Sequence, residues 1–364
     1  MSFLKEALSM QARDLAKIAI WYGLNRHRQG TEKNIWIFGS RRSGTTLVAQ
    51  VFGANKGLKV IDQPFALATS TALQMRYLFQ FDNGHAVDLT DEEKIQCKQY
   101  VDLMRSGRLH VGEPWRFWAY NFHFHSNRLV FKETNGSCLA PLMYETYGDH
   151  ILVLFRHPIP QSMSCFRNGW ELNYRPFLGS KWYIETYLKD GLEGFCHDLI
   201  RGDKRLDKFV LVWCLENLPL FANLSAYPDW GFITYEHFIQ HAADVVRCWA
   251  QAYGLSELNA MMRAAQQPSV STRKLSTTQA KDAIRANRTR DVLFSWRSRI
   301  AAEDERRLMA IVERFQIDEY EVFETSTKRG FRAPATVTAR SAPGIERSQV
   351  PDLEGAAASL RRAG

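Results

Sequence analysis

Short apolar runs rich in β-branched and aromatic residues recur along the chain, at residues 35–38, 58–61, 128–131, 151–155 and 231–235. They do not alternate with polar positions, which is the pattern of strands covered on both faces in a parallel sheet. Between them the period lengthens to that of a helix. Residues 45–52 follow a glycine-bracketed turn. Thr90 and Glu93 have the spacing of a capping box, opening an amphipathic helix to about Ser106 with Gly107 as its stop. Residues 137–147 end at Gly148, 205–224 read as a long apolar core helix, and 300–315 as an amphipathic one. Strands alternating with helices predict an α/β, three-layer fold, its central and mostly parallel sheet flanked by helices. The predicted organisation is an amphipathic helix and polar link over 1–34, one α/β domain over 35–325 with insertions at 66–128 and 168–205, and a basic disordered tail over 326–364.

Composition narrows the picture without deciding it. The 364 residues are 45% apolar and 24% charged, enough for a large core, and the formal net charge is +8. That excess suits polyanionic ligands. No recognition-helix, zinc-finger or RNA-binding pattern accompanies it, so nucleic acid is not expected as a partner. The six cysteines are scattered and lack metal-knuckle or redox spacing. They read as buried thiols of a reducing compartment, which makes a cytoplasmic location the expectation, with no metal. No apolar run reaches the roughly 20 residues that span a bilayer, and Lys5, Glu6, Arg13, Asp14 and Lys17 interrupt the start in a way a secretory signal does not. The helix over 3–24 suits packing on the domain, a homodimer contact or a peripheral membrane surface.

The chemistry concentrates where two of the runs end. After residues 35–38 the turn Gly39-Ser40-Arg41-Arg42-Ser43-Gly44 leads into a helix. Such a turn aims backbone N–H groups and the positive end of a helix dipole at one spot, an anion site. The glycines fit the nucleotide-binding P-loop spacing, but Thr45 stands where that loop needs lysine, and the cations come earlier, at Arg41 and Arg42. After residues 151–155 come Arg156, Pro158 and Ser164: a guanidinium fork for phosphate oxygens, then a hydroxyl donor in the next helix.

Arg42-Ser43-Gly44-Thr45-Thr46 resembles the 5′-phosphosulfate-binding loop of sulfotransferases that use PAPS (3′-phosphoadenosine 5′-phosphosulfate), with the loop closest to carbohydrate, tyrosylprotein and bacterial members. Arg156, Pro158 and Ser164 match the spacing of that family's 3′-phosphate segment. The resemblance implies a P-loop-like fold, PAPS as cofactor and no metal. It places Arg41, Arg42, Ser43, Gly44, Thr45, Thr46, Arg156 and Ser164 at the cofactor, with Arg273 and Lys274 in a basic loop closing over it. Lys132 matches the family lysine that contacts the transferred group, and Arg42 shares its task of neutralising charge. The family's nearby histidine is replaced by Thr134, which leaves the base open. Asp62 and Glu133 are the candidates, followed by His123, His125 and Glu113. Glu133 adjoins Lys132, and neighbouring strand residues point to opposite faces unless the strand has ended.

Sulfuryl transfer from PAPS to an acceptor hydroxyl is the resulting expectation. The aromatic stretches at 113–125 and 170–187 and the placement of Asp62 favour a carbohydrate or glycolipid acceptor. A P-loop kinase or NTPase, and a PAP- or polyanion-binding protein without catalysis, stay open as alternatives. PAP is the desulfated product.

Overall fold

The computed structural model describes residues 23–66, 85–111, 123–269, 278–286, 288–321 and 327–334, with Ala19 and Ser271. The helix expected over 3–24 therefore lies outside the described residues. The strands are β1 (Arg26–His27), β2 (Ile35–Phe38), β3 (Leu58–Asp62), β4 (His125–Ser126), β5 (Arg128–Glu133), β6 (His150–Phe155), β7 (Gly231–Thr234) and β8 (Phe331–Arg332). β1 and β4 form a small parallel pair, and the others form one sheet in the order β3-β5-β2-β6-β7-β8, parallel except for β8. From the central β2 the chain first builds outward on one side, through β3 and β5, and then on the other, through β6 and β7. The crevice beyond the carboxyl ends of β2 and β6 is thus a topological switch point, where open α/β sheets bind ligands.

The helices that frame the sheet are α1 (Thr45–Gly53), α2 (Asp91–Arg105), α3 (Ala140–Tyr147), α4 (Pro158–Arg167), α5 (Arg205–Ala226), α6 (Ala242–Ala252), α7 (Leu258–Ala265) and α8 (Ala302–Arg314). Strand alternation sorts the side chains. Ile35, Ile37, Val130, Leu152 and Leu154 pack with α1, α6 and α7 on one face. Trp36, Phe38, Leu129, Phe131, Val153 and Phe155 pack with α2, α3 and the far end of α5 on the other. Trp36 stacks on Phe131 with centroids 4.0 Å apart. Full burial of such a side chain contributes about 2–3 kcal/mol, and a one-residue slip would move it to the wrong face, so the register is fixed. This is the expected α/β sandwich of helices around a mostly parallel sheet. The capping box is present in both directions, Glu93 N donating to Thr90 Oγ1 (3.2 Å) and Thr90 N to Glu93 Oε2 (2.8 Å).

By length and composition α5 is apolar enough to cross a membrane, but here it is largely buried, packed against α4 and α8. Pro219 sits inside it. Lacking an N–H, Pro219 leaves the Leu215 carbonyl without its helical donor, and the Tyr183 hydroxyl supplies one at 2.6 Å.

The tail expected over 326–364 needs correction at its start. Phe331 and Arg332 pair antiparallel with Ile233 and Phe232. Arg332 Nε and Nη1 donate to the carbonyls of Trp230 (2.9 Å) and Leu224 (3.0 Å), and Arg329 Nε to Glu319 Oε2 (2.9 Å). An edge strand needs backbone pairing more than apolar side chains, so composition concealed it.

Candidate functional site

Register builds the site. Phe38, the last residue of β2, lies opposite Val153, while β6 continues to Phe155. Arg156 therefore stands three residues beyond the level of Phe38, about 10 Å at the usual strand rise, and the turn 39–44 rises into the space beside it. Two glycines make the turn possible. A Cβ on Gly39 would meet the Leu154 carbonyl oxygen at 2.4 Å, and one on Gly44 would meet Tyr235 Cδ2 at 2.6 Å. Gly44 also has φ 107°, and Arg42 lies in the left-handed region at φ 68°, a conformation that non-glycine residues hold at a cost of about 1 kcal/mol or more. Gly44 caps α1 without a side chain, so the first N–H groups of the helix are left to an incoming anion. Ser43 Oγ is buried and has no hydrogen-bond partner among the described residues.

The second sequence motif arrives at the same place. Arg156 Nη1 donates to the Arg42 carbonyl (3.1 Å), and its guanidinium lies over the Tyr235 ring at 4.6 Å. Arg42 Nε donates to Ser164 Oγ (3.0 Å) and Nη1 to Ser271 Oγ (2.5 Å). Burial, and then the neighbouring charge of Arg156, lower the Arg42 pKa to about 10. Arg167, one turn beyond Ser164, is likewise lowered by burial, by Arg299 and by Arg156. Cations that depress one another favour an anion between them. Beneath the turn, Gln161 Nε2 donates to Ser40 Oγ (2.5 Å) and to the Arg41 carbonyl (2.7 Å), and Asn217 Nδ2 to Ser40 Oγ (3.0 Å). Trp213 Nε1 holds the Arg156 carbonyl at 3.1 Å. These supports come from α4 and α5 and escaped the sequence reading, because nothing local marks them.

The neighbouring arginines of the turn divide their work. Arg42 faces the cluster just described. Arg41, expected at the cofactor, is instead tied to the buried Glu216 carboxylate (Nη2 to Oε1, 3.1 Å), with the Trp170 ring 5.4 Å away. Its charge is already neutralised inside the protein. Thr45 and Thr46 open α1, as expected, and Arg273 and Lys274 lie outside the described residues.

Lys132 and Glu133 also separate. In β5, Lys132 shares the face of Val130, toward α1, and sits beside Ile37 of β2 and Asp62 of β3. Lys132 is 4% exposed, and its ammonium holds Asp62 Oδ1 at 2.7 Å. Glu133 points to the opposite face and is wholly buried, accepting the N–H groups of Phe65 (3.1 Å), Thr134 (2.7 Å) and Asn135 (2.6 Å). Burial raises its pKa, and these hydrogen bonds oppose the rise. Glu133 as a base is therefore corrected to a structural bracket joining two loops, with its lone pairs in use and no route for a substrate. His125, in β4, and His123 just before it precede the amino end of β5, roughly 20 Å of strand from Lys132. They are removed as candidates. Glu113 lies outside the described residues. Asp62 remains beside Lys132.

One imidazole near the strand ends was missed. His85 Nε2 is 3.6 Å from Glu216 Oε1, the carboxylate that holds Arg41.

Solved structures with PAP bound are similar to this chain. Mouse sulfotransferase SULT7A1 complexed with PAP is 14% identical with a TM-score of 0.39, over 80% of this chain and 87% of that one. Retinol dehydratase with androsterone and PAP is 14% identical at 0.35, over 84% and 85%. Retinol dehydratase with retinol and PAP is 15% identical at 0.36, over 84% and 86%. No protein-family model matches the chain, and no curated protein does. At this degree of overlap the case for function rests on the residues themselves.

Proposed function

We propose that this protein transfers the sulfuryl group of PAPS to the hydroxyl of an acceptor. The observation that carries the reading is the meeting of Arg156 and Ser164 with Arg42, through the Arg42 carbonyl and Nε. Two anion-binding segments, 114 residues apart in sequence, converge on one crevice without a lysine at the P-loop position. The orphaned Ser43 Oγ and the uncapped start of α1 fit a phosphate in the turn. Arg156 and Ser164 fit the second phosphate that distinguishes PAPS from ATP.

When bound, PAPS supplies a sulfuryl group on a phosphate leaving group. The chain's part is positioning and charge. Arg42 and the N–H groups of Thr45 and Thr46 hold the phosphate in the turn, and Lys132, kept in place by Asp62, neutralises charge at the reacting end. As the acceptor we propose a carbohydrate or glycolipid, supported by the aromatic residues Trp170, Tyr174 and Trp182 near the turn and along the 168–205 insertion. A cytoplasmic location fits the six cysteines, which are all free thiols.

Calorimetric titration with PAP and ADP tests the cofactor. Charge-assisted hydrogen bonds contribute about 1.5–3 kcal/mol each, so two of them to the 3′-phosphate give PAP an advantage of at least ~100-fold. Equal affinities would overturn the reading. Transfer of labelled sulfate from PAPS to a carbohydrate or glycolipid fraction tests the acceptor.

A further inference from the structure

A strained residue beside Lys132 lies outside both sequence motifs. Gln63 follows β3 and has its backbone in the left-handed region, at φ 52°. Residues other than glycine seldom adopt that region, and one that precedes a proline, as Gln63 precedes Pro64, is pushed toward extended backbone. Such strain persists only where the surroundings hold it, and it collects at functional sites. Here the Gln63 N–H donates to the Lys132 carbonyl (2.7 Å), the Ala66 N–H to the Gln63 carbonyl (3.1 Å), and the Tyr100 hydroxyl to the Pro64 carbonyl (2.7 Å). Alternation along β3 would send the Gln63 side chain back to the buried face of Ile61. The left-handed turn instead lays it across the end of β5, where Nε2 donates to Thr134 Oγ1 at 2.6 Å. Because the Gly39 N–H donates to the Glu133 carbonyl (3.3 Å), Thr134 is level with the start of the phosphate turn. The amide therefore stands between the Asp62–Lys132 pair and that turn. Gln63 is half-buried, and its Oε1 reaches solvent with no hydrogen-bond partner among the described residues.

Resting on the proposed transfer reaction, we infer that Gln63 positions and selects the acceptor, a sugar that presents a second hydroxyl next to the one that reacts. A carboxamide has two N–H donors and one carbonyl acceptor. With one donor spent on Thr134, a donor and an acceptor remain side by side. Oε1 accepts from the neighbouring hydroxyl, and the remaining Nε2 hydrogen donates to the sugar oxygen beside it. The reacting hydroxyl keeps its lone pairs for sulfur at Lys132 and its own proton for a base. An amide takes up no proton at neutral pH, so Gln63 holds the sugar in place and leaves deprotonation to another group. Thr134, which stands where the resembling family carries histidine, serves to lock the amide. The strained backbone is what brings these groups to one side of the strand end.

Transfer from ³⁵S-labelled PAPS to a panel of methyl glycosides and to cyclohexanol, a ring with a single hydroxyl, tests this. In the wild type, kcat/KM for at least one glycoside should exceed that for cyclohexanol at least ~10-fold. In Gln63→Ala and Gln63→Gly that ratio should fall at least ~10-fold, with a raised KM for the glycoside and PAP affinity within about threefold of wild type. Gln63→Gly separates binding from folding. Glycine relieves the strain at φ 52° while the bond to Thr134 is lost, so the two effects oppose and the melting temperature should stay within about 2 °C of wild type or rise. Thr134→Val should lower glycoside transfer about threefold or more in the wild type and no further in Gln63→Gly; additive losses overturn the lock on the amide. An unchanged ratio in the Gln63 variants, or one that falls only together with the melting temperature of Gln63→Gly, overturns the role of Gln63 and leaves the transfer reading intact. A wild-type protein that binds PAP but transfers to no glycoside, or favours cyclohexanol, overturns the sugar acceptor. A wild-type protein that fails to bind PAP overturns the transfer reading itself, and this inference with it.

Discussion

Replacing Gly44 with alanine perturbs the site at the point where backbone geometry and ligand chemistry meet. The position has φ 107°, and forcing an L side chain into the left-handed region costs about 1–2 kcal/mol. The new Cβ would also lie 2.6 Å from Tyr235 Cδ2, about 1 Å inside ordinary carbon contact. Tyr235 cannot retreat freely, because its ring carries the Arg156 guanidinium at 4.6 Å, and overpacking of this kind costs about 1–3 kcal/mol. Together these give a destabilisation of about 2–5 kcal/mol, or a fall in melting temperature of about 3–7 °C for a chain of this size. The displaced ring should also push Arg156 out of line. Loss of one charge-assisted hydrogen bond of about 1.5–3 kcal/mol weakens PAP binding about 10- to 150-fold. Thermal melting followed by circular dichroism, and calorimetry with PAP, measure the two effects separately. An unchanged melting temperature would refute the steric account of Gly44. A lowered melting temperature with unchanged PAP affinity would refute the mechanical link from Tyr235 to Arg156.

Three further outcomes follow from the same geometry. Arg156→Gln should weaken PAP at least ~100-fold, through loss of charge-assisted contacts, and ADP less than about tenfold; equal losses would mean that Arg156 serves the turn and not a second phosphate. Asp62→Asn leaves the buried Lys132 ammonium short of its carboxylate. Because Asp62 is part-exposed, the cost should be a moderate 1–2 kcal/mol or so, seen in chemical denaturation. A fall in turnover of ~100-fold or more with normal PAP affinity would identify Asp62 as the base, and a smaller fall would leave it as the partner that holds Lys132. Acid should destabilise the protein through His85 and His157, both lowered to about 3 by burial and by nearby arginines. Unfolded histidine takes up its proton near pH 6.5 while these rings refuse it. Stability present above pH 6.5 is therefore lost as pH falls toward 3, by up to about 1.4 kcal/mol per pH unit for each ring. Denaturant midpoints that stay flat from pH 6.5 to 4 would refute the burial of neutral rings.

What the amino-acid sequence determined by itself is whatever depends on neighbours along the chain. Unbroken apolar runs specified the buried strands, glycine spacing specified the turn after β2, and period-two alternation already implied that Lys132 and Glu133 face opposite ways. The order Arg156, Pro158, Ser164 marked a second basic segment at a strand end in the same manner. The partners that decide each group's role lie far off in sequence and were left to the tertiary structure. Arg41 and Arg42 are adjacent and chemically alike, yet one is neutralised by Glu216 on α5 and the other held by Ser164 on α4. Glu133 became a bracket because three backbone N–H groups from two loops close on it. His85, in no recognisable motif, came to stand 3.6 Å from Glu216 on α5, and its neighbour Ala86 is hydrogen-bonded to Asn135. Periodicity is a property of one segment and survives in the sequence. The pairing of a buried charge is settled by which segments the folded sheet brings within about 4 Å of each other, and no local pattern encodes that distance.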